Sequence, residues 1–248
     1  GTTSSFAGGL STTAVGGLVT LNGVVSTTGT NMDLGAATLG SAVTLTTGAG
    51  AGDITTGAIT AASNALSLTA GTGSTTVASV GNANPATDAA STLTVTSSTN
   101  TTFTGVVSAA DIALSATTGT ITFQGDTEAT TSGLTTTTSV QNLEFQEDLD
   151  VNTASVLFNN AGLLRLGVGG ADTATFQGGA NTTGVGGDTF LNGQIITNGQ
   201  DLELADVTLE QATILDSQGG DVTVAAVTGA GFDLTLDAGD GAAAFGRI

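Results

Sequence analysis

The chain has 248 residues and a net charge of −19, from two basic and 21 acidic residues. It contains no Cys, His, Trp or Tyr, so the side chains on which most active sites depend are scarce. So negative a chain excludes nucleic acid and anionic membrane surfaces as partners, because both require a positive protein surface. No apolar run approaches the ~18 residues of a membrane-spanning helix, so membrane insertion is not predicted.

The composition predicts an all-β fold. Hydrophobic residues make up 39% of the chain, too many for a disordered Gly/Ser linker. Thr and Val are abundant and favour strands, whereas the 38 glycines mark tight turns between them. We therefore expect many short strands.

A long internal repeat divides the sequence. Residues 1–80 recur, changed but recognisable, at 171–248; Phe6 corresponds to Phe176 and Leu21 to Leu191, both at an offset of 170 residues. The predicted organisation is a first repeat unit at 1–170, with a surface loop at 81–91, and the start of a second, continuous unit at 171–248. Such long periods are typical of repeat architectures, in which each unit buries its apolar face on its neighbours.

A shorter period of about 23 residues runs inside the long one. Pairs of apolar residues separated by one residue form two interleaved series, and each pair is named by its second residue. Strands that share one period and alternate inward and outward side chains are typical of a parallel β-solenoid. The sequence therefore predicts a right-handed parallel β-helix of about ten coils. The series are Leu21, Leu45, Leu68, Leu93 and Leu114, and Leu34, Ile54, Val77, Phe103 and Phe123.

A single coil of this kind cannot fold alone. It buries only a few side chains at ~1.5–3 kcal/mol each, against a backbone cost of ~1–2 kcal/mol per residue. Stacking is therefore required, and an uncovered end exposes a strand edge that invites another strand. Because 244–248 are in phase with Val77–Val80, we expect further repeats of the polypeptide or copies of the chain to cover that end.

A local acidic cluster lies between Gln141 and Asp150. Glu147, Asp148 and Asp150 follow one another closely there. A solvated edge that keeps the protein soluble is the simplest interpretation, and a cation site is the alternative. These residues are weak candidates for metal binding.

Asp188 lies in the segment 184–189, which resembles the calcium-binding nonapeptide of RTX toxins, and Asp172 lies in a rougher second match. Asp carboxylates and turn carbonyls suit Ca²⁺. However, Leu18 occupies the equivalent position in the first copy, and one such turn supplies only half of the ligands. No cofactor is predicted, and Ca²⁺ is the ion that the sequence leaves open.

The residue content argues against catalysis. Solenoid enzymes that cleave uronate polysaccharides need a basic side chain or several neighbouring Asp residues, and this chain has no Lys or His. Arg165 is predicted to be a lone outward residue between inward leucines. The chain is not predicted to be an enzyme, and polysaccharide degradation is kept as a minor alternative. Ice binding is another, because Thr44, Thr46, Thr94 and Thr122 would form outward rows.

The blocks 33–39, 101–105 and 234–241 resemble repeats of giant bacterial surface proteins, those of the filamentous haemagglutinin and autotransporter-adhesin class. The resemblance implies an exported β-helical stalk at a bacterial cell surface, with host-cell or matrix glycans as partners. The function predicted is a non-catalytic extracellular structural solenoid, either the shaft of an adhesin or a filament subunit stacked end to end. The alternative is a binding module whose acidic half takes Ca²⁺ or carbohydrate.

Overall fold

The computed structural model describes residues 2–81, 85–229 and 231–247. Within these ranges the regular structure is β-strand, apart from one helical turn at Pro85–Asp88. The strands are Thr3–Phe6, Leu10–Ser11, Val19–Thr27, Met32–Leu34, Ala37–Thr46, Ile54–Thr60, Leu66–Thr69, Thr75–Val80, Leu93–Ser97, Thr101–Phe103, Val107–Leu114, Thr117–Phe123, Thr127–Thr136, Val140–Phe145, Leu149–Val151, Val156–Leu157, Leu164–Leu166, Thr173–Phe176, Ala180–Asn181, Thr189–Thr197, Leu202–Asp216, Val222–Thr228, Leu234–Asp237 and Ala243–Arg247.

The strands wind into a three-sided β-solenoid, which confirms the predicted fold class. Each strand pairs in parallel with the strands one turn before and one turn after it. Face 1 begins with Thr3–Phe6, face 2 with Leu10–Ser11 and face 3 with the first part of Val19–Thr27. The chain visits the three faces in this order and completes about 11 turns, close to the ten predicted.

Side chains alternate between the interior and the surface along each strand. On face 1, Val25, Leu45 and Leu68 stand in register over three turns, and Leu45 and Leu68 are fully buried. Their neighbours Thr44 and Thr46 point outward and are half-exposed. The period of two is that of a half-buried strand, and repetition in each turn makes one continuous apolar core.

Three phenylalanines stack inside face 2. Phe103, Phe123 and Phe145 occupy the same position in consecutive turns, with ring centroids 4.8 Å apart and rings within 9° of parallel. The centroid spacing matches the ~4.8 Å between neighbouring strands, so the backbone ladder sets the stacking distance. Each ring is at most 1% exposed.

The strands Val19–Thr27 and Thr189–Thr197 each have a register shift at a glycine. Gly23 and Gly193, at equivalent positions of the two copies, have φ values of +66° and +73°. A Cβ atom at Gly193 would lie 2.1 Å from the Asp172 carbonyl oxygen of the preceding turn. Positive φ and close approach together require glycine there, because it has no Cβ.

The prediction of two strand series was wrong, because there are three faces. Leu21 belongs to face 3, where it pairs with Leu39, and not to the series of Leu45 and Leu68. The missing series runs along face 3, where the inward aliphatic residues Val107 and Leu149 are separated by the turn that carries Thr127, and Ala174 follows Leu149. Smaller or hydroxylated residues in some turns interrupt the apolar pattern, which explains the error.

The segment 81–91 is an insertion between face 3 and face 1. Its residues 82–84 lie outside the described ranges. Beyond the helical turn Pro85–Asp88, Ala90 forms a parallel bridge with Ala109. The segment therefore rejoins the ladder of face 3 before the strand Leu93–Ser97 begins on face 1.

The strands reproduce the sequence repeat. Thr3–Phe6 has the same length and offset as Thr173–Phe176, and Leu66–Thr69 the same length as Leu234–Asp237. The two copies do not lie on the same faces, however. Seven turns lead from Thr3–Phe6 to Val156–Leu157 on face 1, and Thr173–Phe176 follows two strands later on face 3. One unit is thus seven and two-thirds turns, and the second copy is rotated by one face.

Candidate functional site

The acidic cluster lies at the corner between faces 2 and 3. Glu147 and Asp148 form the turn after Val140–Phe145, and all three candidates, including Asp150, are exposed. The Thr173 N–H of the next turn donates to Asp148 Oδ1 at 2.7 Å. That carboxylate therefore joins two turns.

The other two candidates lie apart from each other. The Asp172 carboxylate accepts hydrogen bonds from the N–H groups of Val168, at 2.8 Å, and Gly169, at 2.6 Å, and so closes its own turn next to Thr173. Asp188 is exposed at the corner between faces 1 and 2. Among the described residues, no three acidic side chains come together in a group that could hold a metal ion.

Arg165 points outward from face 2 between the buried Leu164 and Leu166, as predicted. It pairs with Glu210, and its guanidinium lies 4.8 Å from the centroid of the Phe190 ring in the next turn. The sequence pattern gave no sign of either partner. Arg165, Phe190 and Glu210 thus form contacts between different turns on the outside of the solenoid.

The predicted threonine rows lie on two different faces. Thr44, Thr46 and Thr94 project from face 1, whereas Thr122 projects from face 2. On face 1 the row of Thr44 and Thr94 continues to Ala113, which has no hydroxyl. The threonines therefore do not form a single array.

A groove of about 530 Å³ lies beside the insertion, between faces 3 and 1. Ser63, Ser91, Glu128 and Thr131 are among its lining residues. The ionisable side chain among these lining residues is that of Glu128, whose carboxylate also accepts a hydrogen bond from the Asn152 amide at 3.0 Å. This carboxylate thus already has a partner within the solenoid.

The two ends of the described solenoid expose core positions. We call Thr3–Phe6, Leu10–Ser11 and 19–21 the first coil, and Leu234–Asp237 and Ala243–Arg247 the last coil. Phe6 is 37% exposed in the first coil and Phe245 38% in the last. A groove of about 360 Å³ at the last coil is lined by Leu209, Val227, Phe232, Leu234, Leu236 and Phe245. These ends carry the main exposed apolar surface of the described part of the chain.

Comparison with protein-family models, curated proteins and solved structures gave no match for the chain. The class that the structure defines is the parallel β-solenoid. A search of the described helical residues for a membrane-spanning helix found none.

Proposed function

We propose that the chain is a non-catalytic structural rod, extended through its ends by further repeats or further copies. In line with the family resemblance, the rod is exported and stands at a bacterial surface, as the shaft of an adhesin or as a filament subunit. The partner in either case is another solenoid coil of the same kind. The acidic outer surface keeps such a rod soluble.

One observation carries this proposal: the exposed side chains of the ends are buried where the other copy has a neighbouring coil. Phe6 is 37% exposed, whereas its counterpart Phe176 is 0% exposed. Phe245 is 38% exposed and its counterpart Val77 0%. Leu236 is half-buried, and its counterpart Leu68 is fully buried. Both ends thus have the side chains of an interior coil.

Size-exclusion chromatography with light scattering and negative-stain microscopy, over a range of concentrations, test the proposal. About 11 turns at ~4.8 Å per turn give a rod of roughly 53 Å for one copy. We expect rods whose lengths are multiples of this value and whose number rises with concentration. Irregular aggregates without a constant width would contradict the proposal.

Antibody labelling of intact cells of the source organism tests the location. Surface labelling without permeabilisation is expected for an exported shaft. Labelling that appears only after permeabilisation would refute the extracellular role and leave the rod itself untouched.

A further inference from the structure

The chain contains an internal model of how one unit begins on the end of another. The strands Leu149–Val151 and Val156–Leu157 close the first unit on faces 3 and 1. The second unit begins directly above them, with Val151 paired to Phe176 and Val156 to Ala180. We call this contact the internal junction.

The internal junction is closed by two phenylalanines. Phe158, which follows the face 1 strand, and Phe176, on face 3, are both 0% exposed. Their ring centroids are 5.9 Å apart with the planes at 86°, an edge-to-face contact. Such a pair contributes about 0.5–1.5 kcal/mol beyond its buried area.

The last coil has the apolar pattern of the lower half of this junction. On face 3, Leu236 and Ala238 take the positions of Leu149 and Val151, and on face 1 Phe245 takes that of Phe158. The first coil matches the upper half through the repeat, since Phe6 corresponds to Phe176. Both halves of a second junction are therefore present, one at each end.

A glycine of the first coil fits this interpretation. Gly178 packs so closely on the preceding turn that a Cβ there would lie 2.3 Å from the carbonyl carbon of Ala154. The counterpart Gly8 has nothing within 4 Å of such a Cβ. Gly8 thus lies where close contact with a preceding coil would require glycine, although the chain itself provides no preceding coil there. Gly16 and Gly17 are open in the same way, whereas their counterparts Gly186 and Gly187 are packed.

Charge favours contact between unlike ends. Residues 2–32 contain no charged side chain, whereas the last coil and its turns contain Asp233, Asp237 and Asp240 against a single basic residue, Arg247. Two last coils would bring like charges together, which is unfavourable. An uncharged first coil meets no such repulsion from an acidic last coil.

We propose that the first coil of one copy docks on the last coil of a second copy in the geometry of the internal junction. The strand Thr3–Phe6 then lies above residues 235–238, so the docked copy is rotated by one face and Phe6 meets the partner copy's Phe245. The inference rests on the proposed rod function and specifies the partner, the register and the rotation. The contact is head-to-tail, and such contacts extend into filaments when they do not close into rings.

The test uses the 248-residue chain with one variant that blocks the first coil and two alternative variants that block the last coil. Gly8→Leu places a side chain into open space in the free chain, where φ is not positive, and obstructs the first coil. Phe245→Asp puts a charge on the last coil, and Ala243→Glu, at another exposed position of that coil, is the second variant for that end. We expect each variant alone to self-associate about a hundredfold more weakly than the unmodified chain. Circular dichroism checks that each variant is folded.

Mixing the two variants gives the decisive result. The variant blocked at the first coil keeps a free last coil, and the variant blocked at the last coil keeps a free first coil. The mixture should therefore form heterodimers, but no rods of more than two copies. Rods that persist in both single variants would overturn this docking while leaving the rod function in place. An unmodified chain that stays monomeric at every concentration would overturn the docking and the filament proposal together.

Discussion

Replacing Phe123, the middle ring of the stack, by alanine should lower the free energy of unfolding by about 4 kcal/mol. The ring is 0% exposed, and its burial accounts for ~1.5–3 kcal/mol. It also contacts two rings at 4.8 Å, and each such contact adds about 0.5–1.5 kcal/mol. The sum agrees with the ~3–5 kcal/mol typical of Phe→Ala changes in a core.

Urea unfolding followed by circular dichroism measures the effect, at a concentration where the chain is monomeric. Phe232→Ala is the matched control, because Phe232 is 42% exposed and should cost about 1 kcal/mol or less. A loss below about 1 kcal/mol for Phe123→Ala, or equal losses for both variants, would show that the stacked rings do not form a rigid core.

Four further predictions concern single positions and one ion. Gly193→Ala should destabilise the chain by at least about 2 kcal/mol in urea unfolding, whereas Gly170→Ala, with nothing within 4 Å, should be neutral; equal effects would contradict the close approach. Gln218 has a φ of +53° where the first copy has Gly48, so Gln218→Gly should stabilise the chain by about 0.5–1 kcal/mol, and a lower unfolding midpoint would refute this. Arg165→Met should cost about 1 kcal/mol through its lost ion pair and aromatic contact, a difference that should shrink at high salt; salt-independent stability in both chains would count against it. Micromolar Ca²⁺ should leave the melting temperature unchanged, because no three-ligand acidic group occurs in the described residues, and saturable heat in a calorimetric titration would instead favour the binding module.

The sequence was sufficient to predict the solenoid because inward leucines such as Leu45 and Leu68 recur once per turn. A β-sandwich would not keep this constant spacing between successive strands. It was insufficient for the number of faces. Along face 3 the inward Val107, Leu149 and Ile195 are separated by turns that carry Thr127 and Ala174, so the apolar signal is interrupted.

The end surfaces were only partly predictable. The phase of the last residues with Val77–Val80 indicated an uncovered end, and the alignment of Phe6 with Phe176 contained the matching signal for the other end. The edge contact between Phe158 and Phe176 joins residues on different faces, so it depends on the rotation between units. No local pattern in the sequence gives that rotation.

The fractional turn count has a geometric consequence for any longer array. Because a unit comprises seven and two-thirds turns, its acidic corner and its insertion reappear a third of the circumference further round with each repeat. Three repeats restore the starting azimuth. A shaft assembled in this way presents the same surface feature in three directions around its axis, one on each face, so a ligand that approaches any face of the shaft meets it within three repeats.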